Sequence, residues 1–184
     1  MTTATTSSAK GTWNIDASHS EIGFKVRHLL VTNVTGKFNK FEGSIEAAND
    51  DFNDAKISFT ADVNSINTGD EGRDGHLKSD DFFNAEQFPT ISFKSTSVKH
   101  VSGNDYKIIG DFTMRDITKS IELTAEYGGI MVDPWGNTKS GFEVNGKIKR
   151  SDFNLKWNVV TEAGGAVVGD EIKIHINAEL AKQA

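Results

Sequence analysis

The chain has 184 residues, no cysteine and a formal net charge of -6 at pH 7, with an isoelectric point of about 5.3. This length is enough for one domain with a sizeable apolar core. The absence of cysteine excludes disulfides and thiolate metal sites, and the acidic balance argues against general nucleic-acid binding. No apolar stretch is long enough to cross a bilayer, so we expect no membrane span.

The first ten residues differ in composition from the rest of the chain. They are rich in Thr, Ser and Ala and contain no apolar run. We predict a disordered tail over residues 1–10 and a single domain over residues 11–184. Because a secretory signal needs an apolar segment, the chain as written indicates a cytoplasmic protein, and a periplasmic location would require that a signal had been removed.

Most of the chain has the alternation that is typical of β-strands. Ile, Val and Phe number 15, 12 and 12, against 6 Leu, and branched and aromatic side chains favour strands. Apolar and polar residues alternate from Ile22, from Ile57 and from Ile172 onward. Residues 34–47 are interpreted as one long strand with a bulge or bend near residues 40–43.

About eight strands with one apolar face each can form a sandwich or a closed barrel. Several of the predicted strands are long, and closure removes the exposed edges of a long antiparallel sheet. We therefore predict an all-β fold, a closed antiparallel β-barrel of about eight strands. Such a barrel is wide enough to be filled by side chains or to hold one slender ligand.

One stretch, residues 65–96, interrupts the alternation. It carries Gly69, Gly72 and Gly75, followed by a run that is compatible with a helix. Pro89 prevents a helix from continuing past Phe88. We predict one short helical segment near residues 74–85, which closes or lines one end of the barrel.

Polar residues that could carry chemistry occur in several places, but none has a specific spacing. Asp16, Ser18 and His19 contain the groups of a nucleophile and its base. The stretch lacks the strained Gly-x-Ser-x-Gly elbow, so a turn between two strands is the preferred interpretation. The five histidines have no metal-ligand spacing, and the acidic clusters do not match a calcium-binding loop. We therefore assign no catalytic residue and no metal site.

The four arginines are stronger candidates for specific contacts, because Arg suits fixed contacts with carboxylate or phosphate. Arg73, Arg115 and Arg150 lie next to or near an aspartate and near predicted strand ends. They can form ion pairs that fasten loops at the barrel rim, or they can bind an anionic headgroup. With these arginines, His28 and His76 complete the candidate headgroup or rim residues.

Taken together, these residues resemble the YceI-like family of lipid- or polyisoprenoid-binding barrels. The resemblance covers about residues 13–180 and rests on short motifs in a fixed order. The motifs are Trp13–Ser20, Phe24–His28, Gly36–Phe38, Phe41–Gly43, Ser65–Gly69, Arg73–Phe83, Phe88–Ser95, Gly110–Arg115, Thr118–Lys119, Arg150–Phe153 and Val168–Ile172. The chain departs from the family at Asp116 and Asn154, where glycine is usual, and at Ser120, where proline is frequent. Asp and Asn tolerate a positive φ, so the same turns remain available.

The resemblance implies a lipocalin-like barrel whose apolar pore holds an isoprenoid lipid of the polyprenyl phosphate or prenylated quinone type. It implies no other cofactor and is compatible with a homodimer. We expect thirteen apolar side chains to line the pore. They are Ile22, Phe24, Val26, Phe59, Ala61, Leu77, Phe82, Phe83, Phe93, Phe112, Leu123, Val144 and Ile174.

Two other functions stay open at this point. The protein can be an enzyme that acts on a bound lipid or a small polar substrate, with His19, His28 or His76 as the base. It can also be a structural or interaction module whose barrel is filled with side chains.

Overall fold

The computed structural model describes residues 7–184. The strands are β1 (Gly11–Ile15), β2 (Glu21–His28), β3 (Thr32–Phe38), β4 (Phe41–Ala47), β5 (Lys56–Asp62), β6 (Ile66–Asn67), β7 (Thr90–Ser102), β8 (Asp105–Met114), β9 (Ile117–Val132), β10 (Thr138–Lys149) and β11 (Val168–Lys182). One α-helix, α1, spans Glu71–Lys78. Two short 3-10 helices span Val63–Ser65 and Arg150–Phe153.

Eight of the strands form a closed antiparallel ring. β1 pairs with β4, and the order continues through β5, β7, β8, β9 and β10 to β11, which pairs with β1 again. The predicted closed barrel of about eight strands is therefore confirmed. Strand β11 pairs with β1 over residues 180–182 and with β2 over residues 172–177. As a result, β2, β3 and the two-residue β6 extend the sheet beyond the ring.

The single long strand predicted over residues 34–47 is wrong, because the structure contains two strands there. β3 pairs with β2 and β6, whereas β4 pairs with β1 and β5. The chain turns at Asn39 and Lys40, whose N–H groups donate to the backbone and hydroxyl oxygens of Ser65 at 3.1 and 2.9 Å. The break depends on this contact with a residue 25 positions away, which the local alternation does not show.

The predicted helical segment exists, but its bounds are Glu71–Lys78 rather than 74–85. The helix begins early because the Asp70 carboxylate accepts a hydrogen bond from the N–H of Arg73 at 2.8 Å. Gly72 and Gly75 therefore lie inside the helix. It ends at Ser79, whose hydroxyl donates to the His76 carbonyl, and turns follow. Within residues 7–184, no helix has both the length and the apolar character that crossing a bilayer requires.

Two clusters of buried side chains occupy the two ends of the barrel. The Trp13 cluster includes Trp13, Phe52, Ala55, Val98, Tyr106, Ala125 and Leu180. The Phe82 cluster includes Phe38, Ile66, Phe82, Ile91, Met114, Ile148, Phe153 and Leu155. Strand β7 carries Ile91 at one end and Val98 towards the other, so the clusters are separated along the barrel axis.

The Trp13 cluster closes its end of the barrel with aromatic rings. Phe52 comes from the loop between β4 and β5, and its ring centre lies 5.6 Å from Trp13 and 5.0 Å from Phe142. The indole N–H of Trp13 donates to the carbonyl of Ala9 at 2.7 Å. Ala9 is buried, and its N–H donates to the Asp50 carbonyl. Residues 1–6 of the predicted tail lie outside the described residues, but the packed part of the chain begins before Gly11.

Two turns where glycine was expected from the family take the predicted backbone conformation. Asp116 has φ 63° and Asn154 has φ 65°. Both values lie in the left-handed region that Asp and Asn tolerate better than other non-glycine residues. The substitutions therefore keep the turn between β8 and β9 and the end of the second 3-10 helix.

We expect Gly110→Ala to destabilise the barrel by about 1–3 kcal/mol, because an added methyl group overpacks the wall. A Cβ at Gly110 would lie 2.4 Å from Phe93 Cζ and 2.5 Å from the Lys94 carbonyl oxygen. The matched control is Gly75→Ala, where no atom lies within 4 Å of the added group. The free energy of unfolding of the control should rise by about 0.5–1 kcal/mol, since alanine has a higher helix propensity than glycine. Urea unfolding of both variants measures the difference, and equal stabilities would contradict the prediction.

Candidate functional site

An apolar cavity of about 240 Å³ lies inside the barrel. Five side chains pack against both the Trp13 cluster and the Phe82 cluster, which places them in the middle of the barrel. These are Ile15, Phe59, Phe112, Ile121 and Ile174. They point inward yet are only half-buried, because one side of each borders the cavity.

All thirteen side chains that the sequence predicts for the pore wall line this cavity. They are Ile22, Phe24, Val26, Phe59, Ala61, Leu77, Phe82, Phe83, Phe93, Phe112, Leu123, Val144 and Ile174. Ten come from strands, and the other three come from α1 and the turns after it. Their contact with a lipid stays a prediction.

A second group of cavity residues was not predicted from the sequence. Ile108 and Ile148 alternate in phase with Phe112 and Val144 on their strands, so the same signal could have found them. Phe52 and Leu155 also line the cavity, but they lie outside the strands. No local pattern could have found those two, because long-range folding places them over the ends of the barrel.

The cavity wall contains very few polar side chains. Among the described residues, the polar ones that line the cavity are Ser44, Ser58, Tyr106 and Arg150. Burial raises the pKa of the Tyr106 phenol, so it stays neutral near pH 7. The chemistry of the cavity wall therefore suits hydrocarbon better than a polar substrate.

Arg150 is buried at the Phe82 end, and it bonds to backbone carbonyls instead of a carboxylate. Its Nε donates to Gly169 at 2.8 Å, and Nη1 donates to Leu155 at 2.7 Å and to Trp157 at 2.9 Å. Nη2 donates to Val168 at 3.2 Å. Four of the five N–H groups of the guanidinium are thus used to hold the 154–167 loop against β11.

Burial lowers the pKa of the Arg150 guanidinium, and the nearby carboxylate of Asp170 opposes this shift. Arginine keeps its charge at neutral pH because its ordinary pKa is above about 12. Asp170 is itself bonded to the backbone and hydroxyl of Ser151. The result is one fixed positive charge at one end of an otherwise apolar cavity.

The other candidate rim residues serve mainly to hold loops. Arg115 donates to the carbonyls of Asp80 and Phe82 at 2.8 and 2.7 Å, and to the Asp80 carboxylate at 3.0 Å. This fastens the segment after α1 to the turn between β8 and β9. Arg73 is exposed and donates twice to Thr68 within its own segment. Neither arginine pairs with the aspartate next to it in sequence, so the ion pairs suggested by adjacency are not formed.

The two rim histidines lie near the same end of the barrel, outside the cavity wall. His28 is half-buried at the end of β2, where it pairs with Val168. His76 Nε2 lies 2.8 Å from Asp81 Oδ2, and its ring packs edge-on against Trp157. Within the described residues, none of the five histidines lines the cavity.

The Asp16–Ser20 stretch forms a turn, as the preferred interpretation predicted. Asp16 accepts from the backbone and hydroxyl of Ser18 at 3.0 and 2.6 Å, and it also contacts His19 Nδ1. Lys139 Nζ lies 2.9 Å from Asp16 and 3.2 Å from Glu179. The lysine ammonium neutralises the carboxylates that could otherwise hold a metal ion, and a single carboxylate binds both Ser18 and His19. Ser18 Oγ also lies 3.1 Å from His19 Nδ1, so the turn is a hydrogen-bonded charge network on the outer surface.

The sequence of this barrel matches a known protein family. The model of the YceI-like domain matches residues 13–180. This chain belongs to the YceI-like family. A UPF0312 protein of Staphylococcus aureus is 34% identical over 168 residues, which cover 91% of this chain and 95% of the relative. The YceI relatives also include solved structures.

The YCEI protein of Campylobacter jejuni is 33% identical, with a TM-score of 0.73 over 92% of this chain and 96% of the other. A structure described as a polyisoprenoid binding domain from Saccharophagus degradans is 16% identical. Its TM-score is 0.68, covering 93% of this chain and 98% of that domain. At this identity the second likeness shows the shared fold.

We expect Arg150→Met to destabilise the protein by more than about 2 kcal/mol, because several buried carbonyls lose their donor. The 154–167 loop should also become open to proteases. The control is Arg73→Met, which removes an exposed guanidinium and should lower the free energy of unfolding by less than about 1 kcal/mol. Urea unfolding and limited proteolysis measure both effects. A stable Arg150→Met protein with an intact loop would contradict the assignment.

We expect Asp16→Asn to lower stability at pH 7 by about 1–2 kcal/mol, because charge-assisted bonds are lost. Bonds from Ser18, Lys139 and His19 hold the pKa of Asp16 far below its ordinary value. A lowered native pKa contributes stability above the unfolded pKa of about 3.9 and loses it as the pH falls below that value. Urea unfolding of both proteins between pH 7 and pH 2 should therefore show that their difference in free energy of unfolding shrinks below about pH 4. A stability difference that stays constant over this pH range would disprove the role of the Asp16 charge.

Proposed function

We propose that this protein binds a linear isoprenoid lipid in the barrel cavity and carries or sequesters it. The observation that carries the proposal is the apolar cavity of about 240 Å³, which runs between the two side-chain clusters. A ligand of the polyprenyl phosphate or prenylated quinone type would place its chain in this space. No further cofactor is part of the proposal.

The size and chemistry of the cavity support a slender hydrocarbon. An apolar cavity of about 150 Å³ can hold benzene, so this one can hold a longer hydrocarbon segment. Common sites for drug-sized ligands have volumes of about 300–1,000 Å³. The cavity is smaller than these, and its size favours a thin chain over a bulky ring system. Each buried CH₂ contributes about 0.8 kcal/mol, so affinity can come from chain length with few polar contacts.

The position of Arg150 supports an anionic or carbonyl-bearing headgroup at the Phe82 end. Arg150 is among the residues that line the cavity, and one of its five guanidinium N–H groups has no acceptor among the described residues. A phosphate or quinone oxygen could accept that hydrogen bond while the chain points towards the Trp13 cluster. The roles of His28, Arg73, His76 and Arg115 as headgroup ligands remain predictions with less geometric support.

Membership of the YceI-like family and the likeness to a polyisoprenoid binding domain also support an isoprenoid ligand. The enzyme alternative has less support at the proposed site, since no histidine or carboxylate within residues 7–184 lines the cavity. The filled-barrel alternative does not agree with a cavity of this size. The homodimer and the cytoplasmic or periplasmic location are still predictions, which light scattering and cell fractionation can test.

The direct test is uptake of defined lipids by protein stripped of bound lipid. Farnesol and geranylgeranyl phosphate are the isoprenoid probes, and a water-soluble phosphate monoester is the control. Native mass spectrometry counts the molecules bound per chain. The proposal expects one prenyl molecule per barrel and none of the control. Absence of bound lipid from the native host together with no uptake of either prenyl probe would refute it.

We expect Ile174→Trp to reduce prenyl uptake roughly 10-fold or more, because the indole takes the space of several CH₂ groups. Ile174 borders both clusters in the middle of the cavity. The matched control is Lys173→Trp, since Lys173 is the preceding residue of β11 and is exposed on the outer face. Circular dichroism should show the same strand content for both variants. Unchanged uptake by folded Ile174→Trp would place the ligand elsewhere.

A further inference from the structure

Two surface segments beside the Phe82 end carry a group of exposed aliphatic side chains. One is the turn between β2 and β3, and the other is the 154–167 loop. Their exposed fractions range from 43% to 73%. We call this group the rim patch, and its members are Leu29, Leu30, Val31, Val159 and Val160.

The two segments of the rim patch are joined to each other. The N–H of Leu29 donates to the carbonyl of Val167 at 2.9 Å, and Val167 in turn donates to the carbonyl of Val159 at 3.0 Å. A Cβ placed at Gly165 would lie 3.1 Å from Leu30 Cδ1. The two segments that carry the five side chains are therefore held side by side.

The turn between β2 and β3 has an unusual sequence for its backbone. Leu29 and Leu30 have φ 51° and 62°, and Val31 donates to the carbonyl of His28 at 3.2 Å. His28 pairs with Thr32, so three residues link the strands. Leu29 and Leu30 are the central residues of a tight turn whose two positive φ values favour Asn-Gly and strain leucine. In the similar turn between β8 and β9, the side chain of Arg115 donates to the Phe82 carbonyl and so holds the segment after α1. Leu29 and Leu30 stay 43% and 61% exposed in this strained conformation, which indicates a role for their side chains at the surface.

The rim patch adjoins segments that contribute residues to the cavity wall. Val168 pairs with His28 directly behind the turn, and Val168 and Val26 both line the cavity. Leu155, at the start of the 154–167 loop, lines it as well. The rim patch therefore lies beside residues that line the cavity.

We propose that the rim patch inserts into the apolar boundary of a lipid bilayer, so that a lipid can pass between the bilayer and the cavity. This rests on the proposed function. Five aliphatic side chains on two turns make a small surface, whereas each partner of a stable protein interface buries about 800 Å². Such a surface suits a transient membrane contact. The five patch residues are uncharged, so contact with a neutral bilayer needs no anionic lipid.

The test is flotation of the purified protein with vesicles of phosphatidylcholine. Wild-type protein should float with these vesicles, equally at low and high salt, because exposed apolar contacts are not screened. Adding phosphatidylglycerol should not increase binding, since the protein carries a net charge of -6. The double variant Leu29→Asn, Leu30→Gly should lose binding roughly 10-fold or more. It should also be more stable to urea, because Asn-Gly suits the turn. Loss of binding therefore cannot come from unfolding.

The matched control is Met131→Ser, Val132→Ser, which removes an exposed apolar pair at the tip of the β9–β10 hairpin. This control should float like the wild type. Equal binding by the turn variant, or equal loss by the control, would overturn the proposal. Light scattering that shows a wild-type dimer and a monomeric turn variant would also overturn it, in favour of a second copy of the chain.

Failure of this proposal can be told apart from failure of the proposed function. Farnesol delivered from detergent reaches the cavity without a bilayer, so the turn variant should still take it up. Farnesol delivered from vesicles should reach the wild type faster than the variant. Loss of uptake from detergent by the wild type would refute the ligand assignment. Equal transfer from vesicles to both proteins would refute the role of the rim patch.

Discussion

The double pairing of β11 is the constraint on which the rest of this structure depends. Its last residues hydrogen-bond to β1 and close the ring, whereas its middle pairs with β2. The ring is complete at the Trp13 end, where Phe52 and neighbouring rings fill the opening. At the other end the sheet continues through β2 and β3, and non-strand segments must cover the barrel. The cavity, the short helix and the 154–167 loop all follow from this arrangement.

Covering the second end leaves many backbone carbonyls that need donors, and Arg150 supplies four hydrogen bonds to them. Only a planar guanidinium can reach carbonyls on both the loop and β11 from one point. The same group places a positive charge against an apolar cavity. Arg115 performs a related task for the segment after α1. The covering segments are therefore held by two arginines as well as by apolar packing, which lets the lining remain almost entirely hydrocarbon.

The inward face of the barrel could be predicted because alternation has a period of two on every strand. All thirteen predicted side chains line the cavity for this reason. The break between β3 and β4 could not be predicted, since it depends on hydrogen bonds from Asn39 and Lys40 to Ser65. The helix begins earlier than predicted because the Asp70 cap outweighs the low helix propensity of Gly72 and Gly75.

The sequence by itself determined the all-β class, the apolar wall and the family, because these depend on residue type and local order. The tertiary structure alone decided that the barrel keeps an open cavity, because the volume left by the side chains depends on how the two end clusters pack. It also decided that Arg150 faces carbonyls rather than the nearby aspartate, and that Leu29 and Leu30 meet the 154–167 loop. Those contacts join residues distant in sequence, so no local pattern contains them.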